Sequence, residues 1–284
     1  VSAGIDARGR LAAILLVIAL AAGFVCSAQA QTLTLADRQA SKTFALQVLL
    51  ADPAVRQVTI AEDPVYHRSM TYRAIPMADF LKGLTIGDDD YVQARAVDNF
   101  SVSIPARLLK GGAGSDARAY LAIDDPASPW PPLPGKADGK SAGPFSIVWQ
   151  IGGKADVSSE YWAYQLVALT VTDSPFKRWP GLAVADSVPA ADPIRRGLDR
   201  FVVVCMACHR FGGAGEADQG PDLAVPMNPV DYFKPEALRK LLRDPASVRT
   251  WPEQKMPAFG PDTLPDDDID AIVAWLAYKA RERK

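Results

Sequence analysis

Cys205-Met206-Ala207-Cys208-His209 constrains this 284-residue chain more than any other stretch, because it sets two thiols three positions apart with an imidazole directly behind them. Three chemistries use such a thiol pair. A structural zinc site needs four soft or imidazole ligands, and beyond Cys205 and Cys208 the nearby candidate is His209 itself, too close in sequence to complete a tetrahedron. A redox dithiol sits at the end of a strand opening a βαβ unit. Phe201-Val-Val-Val204 could be that strand, but a Gly-rich loop and short helical stretches follow it. Covalent attachment of a c-type haem uses all three groups: each thiol adds across a vinyl group, and the histidine supplies a neutral proximal ligand to iron. The motif is therefore read as the site of one haem c per chain, held by Cys205 and Cys208, with His209 on the iron.

The remaining cysteine supports this reading. Arg8 and Arg10 precede the apolar run Leu11 to Ala22, and Ala28-Gln29-Ala30 offers a small-x-small cleavage site, so residues 1–30 are expected to be a secretory signal peptide. Cys26 then leaves with the signal, and no further thiol competes for Cys205 and Cys208 in an oxidising periplasm. The chain would meet a membrane only if that segment stayed uncleaved. A formal net charge of −2 gives no electrostatic reason to expect nucleic acid as a partner. Redox proteins are the expected partners.

Residues 31–173 read as a β-rich domain. Thr34 to Leu50 is expected as a leading segment ending in a short helix, with Val58-Thr-Ile60 as the first strand-like run. The runs 92–97 and 100–104 flank Asp98-Asn99, which is hairpin turn chemistry. Tyr120 to Ile123, Phe145 to Trp149 and Tyr164 to Val171 complete the strand pattern, with helical stretches near 77–84 and 105–110. Between Asp124 and Gly143 the loop is stiffened by Pro126, Pro129, Pro131, Pro132 and Pro134.

Three segments in this region, Tyr72-Arg-Ala-Ile-Pro-Met-Ala-Asp-Phe-Leu81, Ala96-Val-Asp-Asn-Phe-Ser-Val-Ser-Ile-Pro105 and Gly143-Pro-Phe-Ser-Ile-Val148, resemble the cofactor-binding core of the sulfite oxidase type of molybdopterin protein. The resemblance implies a metal-binding cysteine just after the first strand, where this chain reads Val58-Thr-Ile-Ala-Glu-Asp-Pro64. No cysteine stands there, and the remaining thiols are committed to haem. Proteins of that family usually leave the cytoplasm folded through the twin-arginine route, whereas Arg8-Gly-Arg10 is not a twin-arginine pair. A relative without molybdenum or molybdopterin is expected. His67, the one histidine outside the haem motif, reads as a surface group of a loop, and Tyr66 and Tyr72 read as packing residues.

Residues 174–191, punctuated by Pro175, Pro180 and Pro189, are expected to form a semi-rigid linker to an all-α domain over 192–284. Asp192-Pro193 is an N-cap followed by proline at the first helical position, and the helix it opens runs into the haem motif. Pro265 and Asp266-Asp267-Asp268 open the last helix, with Ile269, Ile272, Val273 and Leu276 on one face. Gly197 on the first helix would let Trp275 of the last approach closely. This crossing is similar to that of class I c-type cytochromes, which the chain from 193 to 281 resembles throughout. The resemblance implies that the carbonyl of Pro221, in Gly220-Pro221-Asp222-Leu223, accepts a hydrogen bond from the free ring nitrogen of His209. It also implies that Met256, 47 positions beyond His209, is the distal ligand. Met227 is the runner-up, and Met206, between the cysteines, is held on the wrong face. His/Met ligation fills both axial positions, which favours outer-sphere electron transfer.

The expected class is thus α+β in two domains: a β-rich sulfite oxidase-like region, and a cytochrome c region. The expected function is an exported mono-haem cytochrome carrying electrons between a periplasmic dehydrogenase and the respiratory chain, an electron carrier more than an enzyme, with the first domain serving docking or structure. The alternative is the haem subunit of a molybdenum-dependent dehydrogenase. Lys234, Arg239, Lys240, Arg243, Arg249 and Lys255, against Glu236, Asp244 and Glu253, are expected to give a basic docking patch beside Met256.

Overall fold

The computed structural model describes residues 31–111, 116–136, 138–153, 157–252 and 254–282. The expected signal, residues 1–30, and Glu253 of the basic stretch lie outside the described residues. Strands occupy the first part of the chain: β1 (Thr32–Ala36), β2 (Ser41–Ala45), β3 (Arg56–Asp63), β4 (Arg68–Pro76), β5 (Tyr91–Ala96), β6 (Ser101–Pro105), β7 (Ala117–Ile123), β8 (Phe145–Ile151) and β9 (Leu166–Thr172). They form two sheets, ordered β2-β1-β9-β5-β6 and β3-β4-β7-β8. β1 pairs with β9 in parallel, and the other pairings are antiparallel.

β8 shows why this region holds together. Its run Phe145-Ser-Ile-Val-Trp149 is buried at every position, as a strand covered on both faces requires. The Trp149 indole donates to the Tyr161 carbonyl at 2.9 Å and so pins the one-turn 3-10 helix Ser159–Tyr161 against the sheet. At the end of β3 the buried Asp63 accepts from the Val65 and Tyr66 amides and, at 2.7 Å, from the Tyr72 hydroxyl. That turn leaves His67 exposed, with φ 52°.

Two expectations for this region need correction. The segment 34–50 is not simply a lead-in to a helix: β1 and β2 form a hairpin before the short helix α1 (Leu46–Leu50), and β1 lies inside its sheet between β2 and β9. β3 is consequently the third strand rather than the first. β1 buries Leu33 and Leu35 in alternation. Five residues of alternation are too few to stand out locally, and the strand's place depends on pairing with residues over 130 positions away in β9. Second, no strand was expected over 68–76, where β4 lies; it leads into the short helix α2 (Met77–Phe80), within the helical stretch expected near 77–84, and its partners β3 and β7 cover both of its edges.

After α3 (Ala106–Lys110) and the remaining strands come α4 (Pro175–Arg178), α5 (Pro193–Arg200), α6 (Pro229–Tyr232), α7 (Pro235–Arg243) and α8 (Asp266–Glu282). The Asp192 carboxylate caps α5 by accepting from the Ile194 amide at 2.9 Å. α5 and α8 cross at Gly197, where a Cβ would lie 1.9 Å from the Ala271 carbonyl oxygen and 2.9 Å from the Trp275 Cβ. The fully buried Trp275 stacks against Phe201 and Phe211, with ring centroids 4.4 and 4.8 Å away. The buried Asp268 is paired with Arg196 at 2.5 Å and Arg200 at 2.9 Å, one turn apart on α5. Two guanidiniums on one carboxylate offset the penalty of burying that charge.

Residues 174–191 do not behave as a tether. Leu182 and Val184 are buried in the helical core, and the carbonyls of this segment are taken up by its neighbours. Trp275 Nε1 donates to the Leu182 oxygen at 3.3 Å, and the Arg195 guanidinium reaches the oxygens of Ala185, Val188 and Pro189. The prolines that suggested a spacer instead shape a strap along α8, and residues 32–284 form one compact unit.

Candidate haem site

α5 continues directly into a π-helical turn, Phe201–Cys205, closed by the Met206 amide on the Phe201 carbonyl at 3.0 Å. Such wide turns concentrate at functional sites. The amides of Cys208 and His209 then fold back on the Cys205 carbonyl, at 3.1 and 2.8 Å, which brings both thiols and the imidazole onto one loop. Neither thiol is in a disulfide. Burial, followed by the negative charge of Glu160, pushes both thiols up to about 12. They are protonated at neutral pH and poor partners for thiol exchange.

His209 is held from one side only. Its Nδ1 lies 2.8 Å from the Pro221 carbonyl, so Nδ1–H donates there and Nε2 is left with its lone pair. Burial keeps the ring below the usual imidazole value, against the opposing influence of the Pro221 contact. The neutral, ligand-competent form is therefore favoured. Gly220 makes room for the ring: a Cβ there would sit 2.2, 2.5 and 2.8 Å from Cε1, Nδ1 and Nε2. The following residue secures the loop. Asp222 accepts from the amides of Gly212, Gly213, Ala224 and Val225, at 2.8 to 3.2 Å. Burial works against that carboxylate, but the four amides hold it below the ordinary range.

Of the two candidate distal methionines, Met256 is half-buried and packs on the helical core, whereas Met227 is 48% exposed. Met206 is buried beneath the attachment loop, close to Gly215. The Met256 segment has no regular structure, yet Arg243 at the end of α7 anchors it twice. Its carbonyl accepts from the Phe259 amide at 3.0 Å, and its guanidinium donates to the Phe259 carbonyl at 2.5 Å. Sequence reasoning took Arg243 as a surface charge, and nothing in its local pattern marks this anchoring. Arg243 also pairs with Asp266, and Arg239 with Asp270, at 2.5 and 2.7 Å. Among the described residues, Lys234, Lys240, Arg249 and Lys255 are the cations of this stretch without an ion pair. Arg243→Ala is expected to free the 256–259 segment; if Met256 holds the iron, the weak near-red absorption of the oxidised protein should be lost at a lower temperature than in the parent chain.

The β-rich region closes over the attachment loop. β6 is an edge strand, and its Ser101 amide donates to the carbonyl of Ala207, inside the motif, at 3.1 Å. One amide of that open edge is thereby satisfied. Ala207 is buried in the core of that region, with Val203 and Cys208 packed against it. Gln219 donates to the Asp98 carbonyl at 3.4 Å while its side-chain oxygen lies 3.3 Å from the Cys208 sulfur. Arg178 bridges the Gln93 side chain, at 2.6 Å, and Glu216.

Two thiols on one turn, a neutral imidazole with a free Nε2 over a glycine cradle, and a half-buried thioether on a pinned loop fit a c-type haem. Residues 192–276 match the family model described as cytochrome c oxidase, cbb3-type, subunit III. No curated protein matches the chain. The matched span runs from the α5 cap into α8 and contains the attachment motif, Pro221 and Met256. The C-terminal part is a cytochrome c domain; such a domain implies haem c and redox partner proteins in general.

Proposed function

We propose that the protein is an exported mono-haem electron carrier that passes electrons between a periplasmic dehydrogenase and the respiratory chain. The observation that carries this reading is the imidazole of His209, tied through Nδ1 to Pro221 within a Cys-x-x-Cys-His loop, which leaves Nε2 with its lone pair for a metal. Cys205 and Cys208 would hold the haem by thioethers, and His209 and Met256 would take the axial positions. The bound haem supplies a reversible one-electron couple. Were His209 and Met256 both to hold the iron, the group would supply outer-sphere electron transfer rather than a place for substrate. Among the described residues no helix is long and apolar enough to cross a membrane.

The β-rich region is read as a sulfite oxidase-like domain without molybdenum that serves docking or structure. Support comes from β3, which runs Val58-Thr-Ile-Ala-Glu-Asp63 without the cysteine that the resemblance calls for. The closure of this region over Ala207 gives it a structural task of its own. One preparation tests both halves of the proposal. Intact mass should exceed that of the polypeptide by one haem, Cys208→Ala should retain at most one thioether, and metal analysis should return one iron per chain. An unshifted mass would overturn the haem reading, and molybdenum near one per chain would restore the dehydrogenase alternative.

A further inference from the structure

The β-rich region grips the attachment loop at two places, and one side chain ties the two grips together. The first is the Ser101 amide on the Ala207 carbonyl, inside the motif. The second is Arg178 at the end of α4, whose guanidinium forms an ion pair with Glu216 on the loop that follows His209. From the same guanidinium, Nη1 donates at 2.6 Å to Oε1 of Gln93 in β5, and Gln93 Nε2 donates at 2.8 Å to Oγ of Ser101. Arginine carries donors only, so Gln93 must face it with its oxygen, which turns the amide nitrogen onto Ser101. Gln93 and Ser101 are both buried, and the guanidinium lies 4.2 Å from the centroid of the Trp179 ring, which packs on the helical core. Arg178 is thus seated on a side chain of the sheet, one of the haem loop and one of its own strap.

Glu216 leads back to the proximal histidine. The guanidinium of Arg210, directly after His209, donates to the carbonyls of Ala217 at 3.0 Å and Glu216 at 3.4 Å. The Arg210 carbonyl accepts from the Leu223 amide at 2.8 Å, and the Cys208 carbonyl from the Gly220 amide at 2.9 Å. These bonds close residues 208–223 into one frame, and that frame carries the Pro221 carbonyl that takes the His209 Nδ1–H. We propose that Arg178 is a positioning residue for the proximal ligand: by locking Glu216 to β5 and β6, it sets the Pro221 carbonyl against the His209 imidazole. This rests on the haem reading above. A hydrogen bond from Nδ1–H makes Nε2 a more basic ligand, and a more basic imidazole favours iron(III) over iron(II). Releasing the frame from Arg178 weakens that bond, so the reduction potential rises.

Removing one charge of the pair would move the potential by electrostatics alone, so the test removes both. Arg178→Leu/Glu216→Gln leaves the net charge of the pair at zero, and leucine cannot donate to Gln93. The haem-loaded full chain is read in two ways: hydrogen exchange by mass spectrometry over residues 206–223, and the midpoint potential from a mediated titration at neutral pH. Exchange in that span should quicken about tenfold or more, the worth of one charge-assisted hydrogen bond. The iron(II)/iron(III) ratio at a fixed poise should rise about threefold, less than the about 10–100-fold typical of losing the orienting partner itself. Arg178→Lys keeps a charge for Glu216 but loses the fork that also reaches Gln93, and should fall between the two. Lys177→Gln, one position earlier and paired with Asp173, should change neither readout. A double variant with the parent's exchange and potential overturns the proposal. Faster exchange with an unaltered potential overturns it as well, since that marks a clamp with no hold on the ligand. Failure of the parent chain to take up haem overturns the haem reading instead. Should the double variant not load, Arg178→Lys decides by the same two readouts.

Discussion

Gly220→Ala is expected to unseat the His209 imidazole. The added Cβ would lie 2.2 to 2.8 Å from three ring atoms, well inside any tolerable contact, and the backbone at residue 220 cannot retreat freely because its amide is bonded to the Cys208 carbonyl at 2.9 Å. The ring must move, and with it goes the 2.8 Å contact to Pro221 that fixes the tautomer. Overpacking of this kind removes about 1–3 kcal/mol, and loss of the partner that orients a ligating histidine typically weakens metal affinity about 10–100-fold. Covalent attachment should persist, since both thiols are untouched. The readout is an absorption spectrum recorded against urea, with the proximal ligand lost at a markedly lower denaturant concentration than in the parent. Gly260→Ala is the control, because a Cβ there meets nothing within 4 Å; equal effects of the two substitutions would remove His209 from the position assigned to it.

Much of this site could be read from the sequence because its parts are local. The attachment motif spans five consecutive residues, Pro221 follows within twelve, and the cap at Asp192 depends on an amide two residues on. The hairpin turn at Asp98-Asn99 belongs to the same class: Asn99 adopts φ 67°, a conformation asparagine tolerates better than most residues. What escaped depends on residues far apart in the chain. β1 is defined by β9, Arg243 by the Phe259 backbone, and Asp268 by two arginines over sixty positions earlier. No periodicity within a window of a dozen residues records such partners.

Proline content misled for a related reason. Pro175 opens the short helix α4 and Pro180 a single 3-10 turn, and the irregular remainder of the segment packs against a core because its carbonyls find donors. Here Trp275, Lys279 and Arg195 provide them. The same reasoning explains why the β-rich region and the haem loop meet without any sequence signal. The contact is made largely by backbone, Ser101 to Ala207, and by the side chains of Gln219 and Arg178, whose residue types are ordinary on a surface.

Gly197→Ala carries the largest expected loss of stability, and its sign tests the helix crossing itself. On an isolated or exposed helix, glycine to alanine is favourable by ~1 kcal/mol, since alanine restricts the unfolded chain and favours the helix. At this crossing the new Cβ would lie 1.9 Å from the Ala271 carbonyl oxygen and 2.5 Å from its carbon. Both are backbone atoms of α8, so no rotamer change relieves the clash, and α5 and α8 must separate. Separation loosens Trp275 from Phe201 and Phe211 and strains the two arginine pairs that satisfy the buried Asp268. Disturbing such a buried carboxylate adds to the packing loss, and a net destabilisation of ~3 kcal/mol or more is expected. Urea denaturation of the haem-loaded protein should show a lowered midpoint with an unchanged slope, the pattern of lost native stability. A midpoint raised by the substitution would mean that residue 197 faces open space and that the first and last helices of the haem region do not cross there.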